Sequence, residues 1–316
     1  MLIGLAYALL WAAALVCAAL WATRRSWVWW LATGARVIAW GTLTAGLVVR
    51  GLKAGHWPLA NRYEFALCLT WAILAIDLLF EASWPSTRAR PVERGGKQSS
   101  PFVLAIALLV ATYAVTRPAE QRAIAPLVPA LRSVWLQVHV LTAMLGYGAF
   151  GVAAGLGLMR VVSVRSEARR SAGVPSVRSE ARRSAGVPSE KPGFPCDGTS
   201  PKTWFRRSAG VPGAEIERMI DRAIALGFPW LTLGILTGAI WAQNTWGRYW
   251  GWDPKEAWAL VTWLFYLLIL HLRPRRRWRG RRLAALAVAG FGIVLFTFAG
   301  VPWLVRTVRL ESLHGF

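Results

Sequence analysis

Cysteine, histidine and acidic side chains are all scarce in this chain of 316 residues. Two of the three cysteines, Cys17 and Cys68, lie in apolar runs, and Cys196 lies in a low-complexity loop. No paired spacing occurs among them, which excludes a disulfide framework, a cysteine-based zinc site and a thiol relay. The four histidines, His56, His139, His271 and His314, are far apart in sequence, and no close His/Cys/carboxylate cluster marks a zinc site. Nothing resembles a serine or cysteine activated by a neighbouring base. Aspartate and glutamate number 15 against 37 lysines and arginines, a net charge of +22. Such a balance invites a nucleic-acid reading. The basic residues, however, cluster in short loops beside apolar runs, which is a topology signal, so the expected partner is membrane lipid and not nucleic acid.

What is abundant is apolar length and tryptophan: 55% of the chain is hydrophobic and 20 residues are Trp. Several runs approach or exceed the ~20 residues needed to cross a bilayer. The pattern predicts an all-α, polytopic integral membrane protein of about eight transmembrane helices. The spans are residues 2–22, 27–49, 65–80, 101–116, 135–159, 223–241, 258–272 and 283–305. The first has no basic leader region and is long for a signal peptide, so it reads as an uncleaved helix. Arg36 and Asp77 fall inside spans, where ionisable groups pair or line a cavity. Either they neutralise one another or they line an entrance.

Between the fifth and sixth spans the character changes. Residues 164–176 are repeated identically at 177–189, and residues 206–212 echo the second half. A repeat this short, basic and rich in Ser, Gly and Pro has no apolar face to bury, so it reads as a disordered insertion. Three segments follow: 1–162 with five spans, the insertion 163–213, and 214–316 with three spans and a Trp-rich loop at 241–258. Loops after the odd-numbered spans carry 26 Lys and Arg, and those after the even-numbered spans, with the tail, carry 10. The positive-inside rule then places the insertion in the cytoplasm, and both termini and the Trp-rich loop outside.

That loop gathers Trp246, Tyr249, Trp250, Trp252 and Trp258 within thirteen residues. An interfacial aromatic belt spreads one or two such residues over each helix end. A denser cluster suits a flat platform for a large planar ligand such as a porphyrin. Asp253 is a good N-cap, Pro254 suits the first helical position, and Glu256 sits where a capping-box acid belongs. Arg248 and Lys255, the loop's cations, are placed to meet either ligand carboxylates or lipid headgroups. With this topology His56, His139 and His314 share the outer side with the loop, whereas His271 lies ~27 Å deeper along a helix. Histidine is a common axial ligand of haem iron, and two can bind from opposite faces.

The stretch Trp246-Gly-Arg-Tyr-Trp-Gly-Trp-Asp-Pro-Lys-Glu-Ala-Trp258 resembles the signature of the tryptophan-rich (WWD-domain) haem-handling proteins of cytochrome c maturation, the CcsA/ResC type of the system II pathway. The resemblance extends over residues 226–241, 129–140 with 145–147, and 55–64. It implies that His139 and His314 are axial ligands of an external haem b held as substrate against the aromatic loop, with Asp253 in that motif. It also implies that His271 ligates haem within the membrane, completed by a histidine of a CcsB/ResB-type partner. His56 matches a family turn without an assigned role. The implied activity is haem transport and presentation for attachment to the Cys-x-x-Cys-His motif of apocytochrome c, as a haem lyase or synthase component acting with that partner. The implied setting is the bacterial cytoplasmic (inner) membrane, with a thioredoxin-like protein supplying reduced thiols. A haem exporter that loads a chaperone, and a scaffold or transporter that binds no haem, are the alternatives. One departure is that Gly300-Val-Pro302 stands where the family has Gly-Val-Asn, with a longer segment before Leu313-His-Gly-Phe316.

Overall fold

The computed structural model describes residues 1–23, 26–83, 100–124, 126–127, 129–172 and 213–308. All regular elements among them are helices. They are α1 (Leu2–Thr23), α2 (Ser26–Ala54), α3 (Arg62–Ala82), α4 (Ser100–Val115), α5 (Val134–Ala172), α6 (Gly213–Trp246), α7 (Pro254–Leu272), α8 (Arg281–Leu295) and α9 (Val301–Val308). A π-helical turn, Phe296–Gly300, joins α8 to α9 into one continuous rod. By length and composition seven helices can cross a membrane, counting that rod once, and the shorter apolar α4 brings the expected set to eight. The protein is therefore a multi-pass, all-helical membrane protein.

Two boundaries differ from expectation. The Trp-rich connection is not a loop over 241–258, because no Gly or Pro stands between Trp241 and Gly247 and α6 stays helical through Trp246. The true loop is residues 247–253, closed by Pro254 at the start of α7. The segment assigned to the insertion from residue 163 begins as helix, since α5 continues to Ala172. Residues 173–212, the basic loop at 84–99, Arg24, Arg25 and the tail with His314 lie outside the described residues.

Helix α5 is the axis of the bundle. It is the most buried of the seven spans, and it packs against α3, α4, α6 and α8. Small residues allow this, since helices without a hydrophobic driving force gain by close backbone approach. A Cβ on Gly155 would sit 2.7 Å from the Cα of Val103 in α4. Phe150 lies flat on Tyr266 of α7, with centroids 3.5 Å apart.

Helices α1 and α2 pack on each other, and α2 is pinned to α3 by a buried ion cluster. Arg36 is 1% exposed and donates to Asp77 at 2.9 Å, to Glu81, and to Thr33 at 3.1 Å. Of the two expectations for Arg36 and Asp77, mutual neutralisation matches this geometry, and neither residue lines the large cavity described below. A buried pair is costly to break because the remaining charge is stranded. Arg36→Leu should therefore cost about 3–5 kcal/mol, while Arg36→Leu combined with Asp77→Leu and Glu81→Leu should recover most of it. Thermal unfolding of detergent-solubilised protein reads both, and equal losses in the two variants would contradict this account.

Candidate functional site

One end of the bundle carries an open cavity with about 1250 Å³ of empty space between its walls and across its mouth. Its walls are mostly apolar and come from the turn before α3, the start of α5, the end of α6, the 247–253 loop, the first turns of α7 and the π-helical turn. Sequence-distant segments meet here because α5 and α6 run in close contact and bring their ends together. π-Helical turns are rare and concentrate at functional sites. This one places Thr297 and Phe298 in the wall.

His139 projects into the cavity from the second turn of α5. Its Nδ1 lies 2.7 Å from the Gly234 carbonyl of α6. A carbonyl only accepts, so Nδ1 carries the proton, and in the neutral ring Nε2 holds the lone pair. Metal-ligating histidines are oriented by this kind of second hydrogen bond. Gly238, one turn beyond Gly234, makes room for the ring: a Cβ there would sit 2.7 Å from Nδ1. On the same helix Trp241 is buried and lies nearly parallel to the imidazole, 8° between planes and 6.5 Å between centroids. Trp246 meets Trp241 edge to face at 4.7 Å.

The loop is held by a carboxylate bracket. Asp253 accepts from the Lys255 N–H at 2.9 Å, and the capping box with Glu256 is complete. Glu256 Oε2 accepts from the N–H groups of Gly251 (2.7 Å) and Asp253 (3.2 Å), one on each side of Trp252. Trp252 is the one non-glycine residue with positive φ among the described residues, at 57°, and its indole is 71% exposed. An L-residue in that region costs roughly 1–2 kcal/mol, and such strain persists where surroundings over-determine it, often at ligand sites. Glu256 supplies that restraint here.

Of the residues expected in the site, His139, Tyr249, Trp250 and Lys255 line the cavity together. Trp252 meets Trp250 edge to face at 5.8 Å, extending the aromatic surface outward from the wall. Arg248 is exposed beside Gly251, and Asp253 acts as helix cap, neither lining the cavity. Trp258 faces the other way and packs on Phe296 at 4.4 Å. His56 stays in its turn, Nδ1 against the Trp57 carbonyl at 2.8 Å, outside the cavity. His271 sits at the far end of α7, exposed, with Nδ1 2.9 Å from the Leu267 carbonyl. It ends an exposed apolar stripe of Val261, Leu264 and Leu268. No group of three or more His, Cys, Asp or Glu able to hold a metal ion occurs among the described residues.

The sequence reading assigned no ligand role to Trp241, Arg62, Phe65, Tyr147 or Phe298, all of which line the cavity. The signal for Trp241 was present: Gly234 and Gly238 stand four apart, the spacing that marks a close helix–helix face, and Trp241 follows in register. Arg62 and Phe65 belong to the turn and first helical turn that carry the 55–64 motif.

The family model described as cytochrome C assembly protein matches residues 59–309. The chain is similar to the cytochrome c biogenesis protein CcsA of a Synechococcus species, 38% identical over 267 residues, 83% of this chain and 80% of the relative. It is also similar to CcsA of Synechococcus elongatus, 38% identical over 302 residues, covering 90% and 87% of the two chains. CcsA of Synechocystis is 35% identical over 314 residues, covering 92% and 89%.

Releasing the strain at Trp252 tests this account of the loop. Trp252→Gly should raise thermal stability by up to about 1 kcal/mol. Glu256→Ala should lower stability by about 1–3 kcal/mol. Melting curves of the purified variants check both, and a lower melting temperature for Trp252→Gly would contradict the strain argument.

Proposed function

The chain belongs to the cytochrome c assembly protein family and handles haem for cytochrome c maturation, and from that premise we propose that it presents haem for covalent attachment to apocytochrome c at the His139 cavity. The observation that carries this reading is the His139 ring, fixed by the Gly234 carbonyl beside an indole and turned into an open, mostly apolar cavity. An oriented neutral imidazole is the ligand type that haem iron takes. Tyr249, Trp250 and Trp241 supply aromatic walls, with Trp252 at the mouth. His314, outside the described residues, is the proposed second axial ligand.

The chain's own share of the chemistry is position. His139 holds the cargo by its iron, the aromatic walls set the plane of the ring, and the open mouth leaves one edge for the polypeptide substrate. Each thioether forms when a cysteine sulfur of the Cys-x-x-Cys-His motif bonds to one vinyl carbon and its hydrogen goes to the other. Reduced thiols are required, and we assign their supply to a thioredoxin-like protein; among the described residues no cysteine lines this cavity. We assign attachment activity to this chain together with a CcsB/ResB-type partner. The exposed stripe ending in His271 supports a membrane-embedded partner, which would contribute the second ligand of an inner site. The proposed placement is the bacterial cytoplasmic membrane with the cavity outside, as the charge asymmetry indicates.

Protein purified after expression with ample haem should show a Soret band with a bis-histidine spectrum. His139→Ala should weaken haem binding by about tenfold or more, since even supporting residues of a metal ligand are worth that much. Co-expression with a CcsB-type partner and a reporter apocytochrome should give covalent haem staining that neither chain gives alone. Colourless wild-type protein would favour a scaffold, and bound haem without staining in any combination would favour an exporter.

A further inference from the structure

A second cavity opens beside the first, with about 720 Å³ of empty space including its mouth. It is lined by Arg62, Tyr113, Arg117, Trp303 and Arg306, together with small residues of the π-helical turn and α9. Three guanidinium groups therefore converge on one space from the start of α3, the end of α4 and the last turn of α9. Arg62 lines both cavities and is the wall between them.

Three of the acids at this end of the bundle, Glu64, Glu256 and Asp253, are committed elsewhere, and Glu120 is exposed. Glu64 pairs with Arg50 at 2.7 Å and accepts the Ala60 N–H at 2.8 Å. Glu256 holds the backbone on either side of Trp252, and Asp253 caps α7. Among the described residues none of the ion pairs includes Arg62, Arg117 or Arg306. The Nε atoms of Arg62 and Arg117 are buried without a hydrogen-bond partner. The Arg117 guanidinium is held 4.2 Å above the Tyr113 ring, which fixes its plane. Like charges gathered round a space, with buried donors unmet, are unfavourable unless an anion enters.

We propose that Arg62, Arg117 and Arg306 form an oxyanion site, built for carboxylate or phosphate oxygens. Guanidinium groups bind such oxygens through paired, charge-assisted N–H donors. Two sources of that chemistry reach this place: the carboxylates of a molecule seated in the His139 cavity, and the phosphate of a lipid headgroup. Because Arg62 faces both cavities, a flat ligand in the first can extend its acidic edge into the second. In that arrangement the arginines fix which edge of the macrocycle points inward and which faces the mouth. The carboxylate source rests on the haem-presenting function proposed above; the oxyanion site itself does not.

The test uses the full chain in nanodiscs, with Arg62→Gln, Arg117→Gln and Arg306→Gln; Arg306 is exposed, so that variant is the safeguard against misfolding. Haem and haem dimethyl ester, which lacks free carboxylates, are titrated in parallel. In a second arm, thermal stabilisation by phosphatidylglycerol is compared with phosphatidylcholine. Weakening of haem binding by about tenfold or more per arginine, with the ester unaffected, identifies the ligand's carboxylates. Unchanged haem binding, with stabilisation by phosphatidylglycerol lost in the variants, identifies lipid phosphate. If neither quantity moves in any variant, the site is refuted. Wild-type protein that binds no haem, yet depends on these arginines for stabilisation by phosphatidylglycerol, removes the haem reading and leaves the site standing.

Discussion

The hydrogen bond from His139 Nδ1 to the Gly234 carbonyl joins the fold to the chemistry. It spans two helices and forms only because α5 and α6 touch through glycine and alanine. Gly234 meets the backbone of Ala143, Gly146 meets Leu231, and Gly227 meets Phe150. Larger side chains at these points would part the helices and release the imidazole. That bond also places the proton on Nδ1 and fixes the orientation of the ring. Bundle packing and ligand readiness are thus one constraint.

Around that pivot the structure uses two kinds of polar fastening, one inside the bundle and one in the cavity wall. Arg36 with Asp77 and Glu81 ties α2 to α3 inside the apolar interior, where unpaired charge is intolerable. Glu256 ties the backbone around Trp252, where the chain must turn sharply to begin α7. The first secures the frame, and the second presents an indole outward in a backbone conformation that it would not otherwise keep. Among the described residues these carboxylates are structural, and none of the ion pairs takes Arg62, Arg117 or Arg306 at the cavity end.

Much of this was legible in the sequence because apolar run length, capping chemistry and charge asymmetry are local signals. The helices at α1 to α8 follow from run length, and the start of α7 follows from Asp253, Pro254 and Glu256. The apolar run ends near Trp241, but nothing in residues 241–246 breaks a helix, so the helix outlasts the run. Trp258 shares the motif with the platform residues, but its side chain packs on Phe296. Arg62, Arg117 and Arg306 could not be grouped at all. They are dispersed over more than two hundred residues, and only packing around α5 brings them to one cavity.

The central claim, that an imidazole at position 139 holds the haem iron, is tested most directly by replacing that ring with a free one. His139→Gly purified with haem and nitrogen-15 imidazole should regain a low-spin ferric signal, with nitrogen-15 hyperfine coupling in pulsed electron paramagnetic resonance. Haem bound in the low-spin state without added imidazole, or with no coupling to its nitrogen, would place the iron on other ligands and contradict the account.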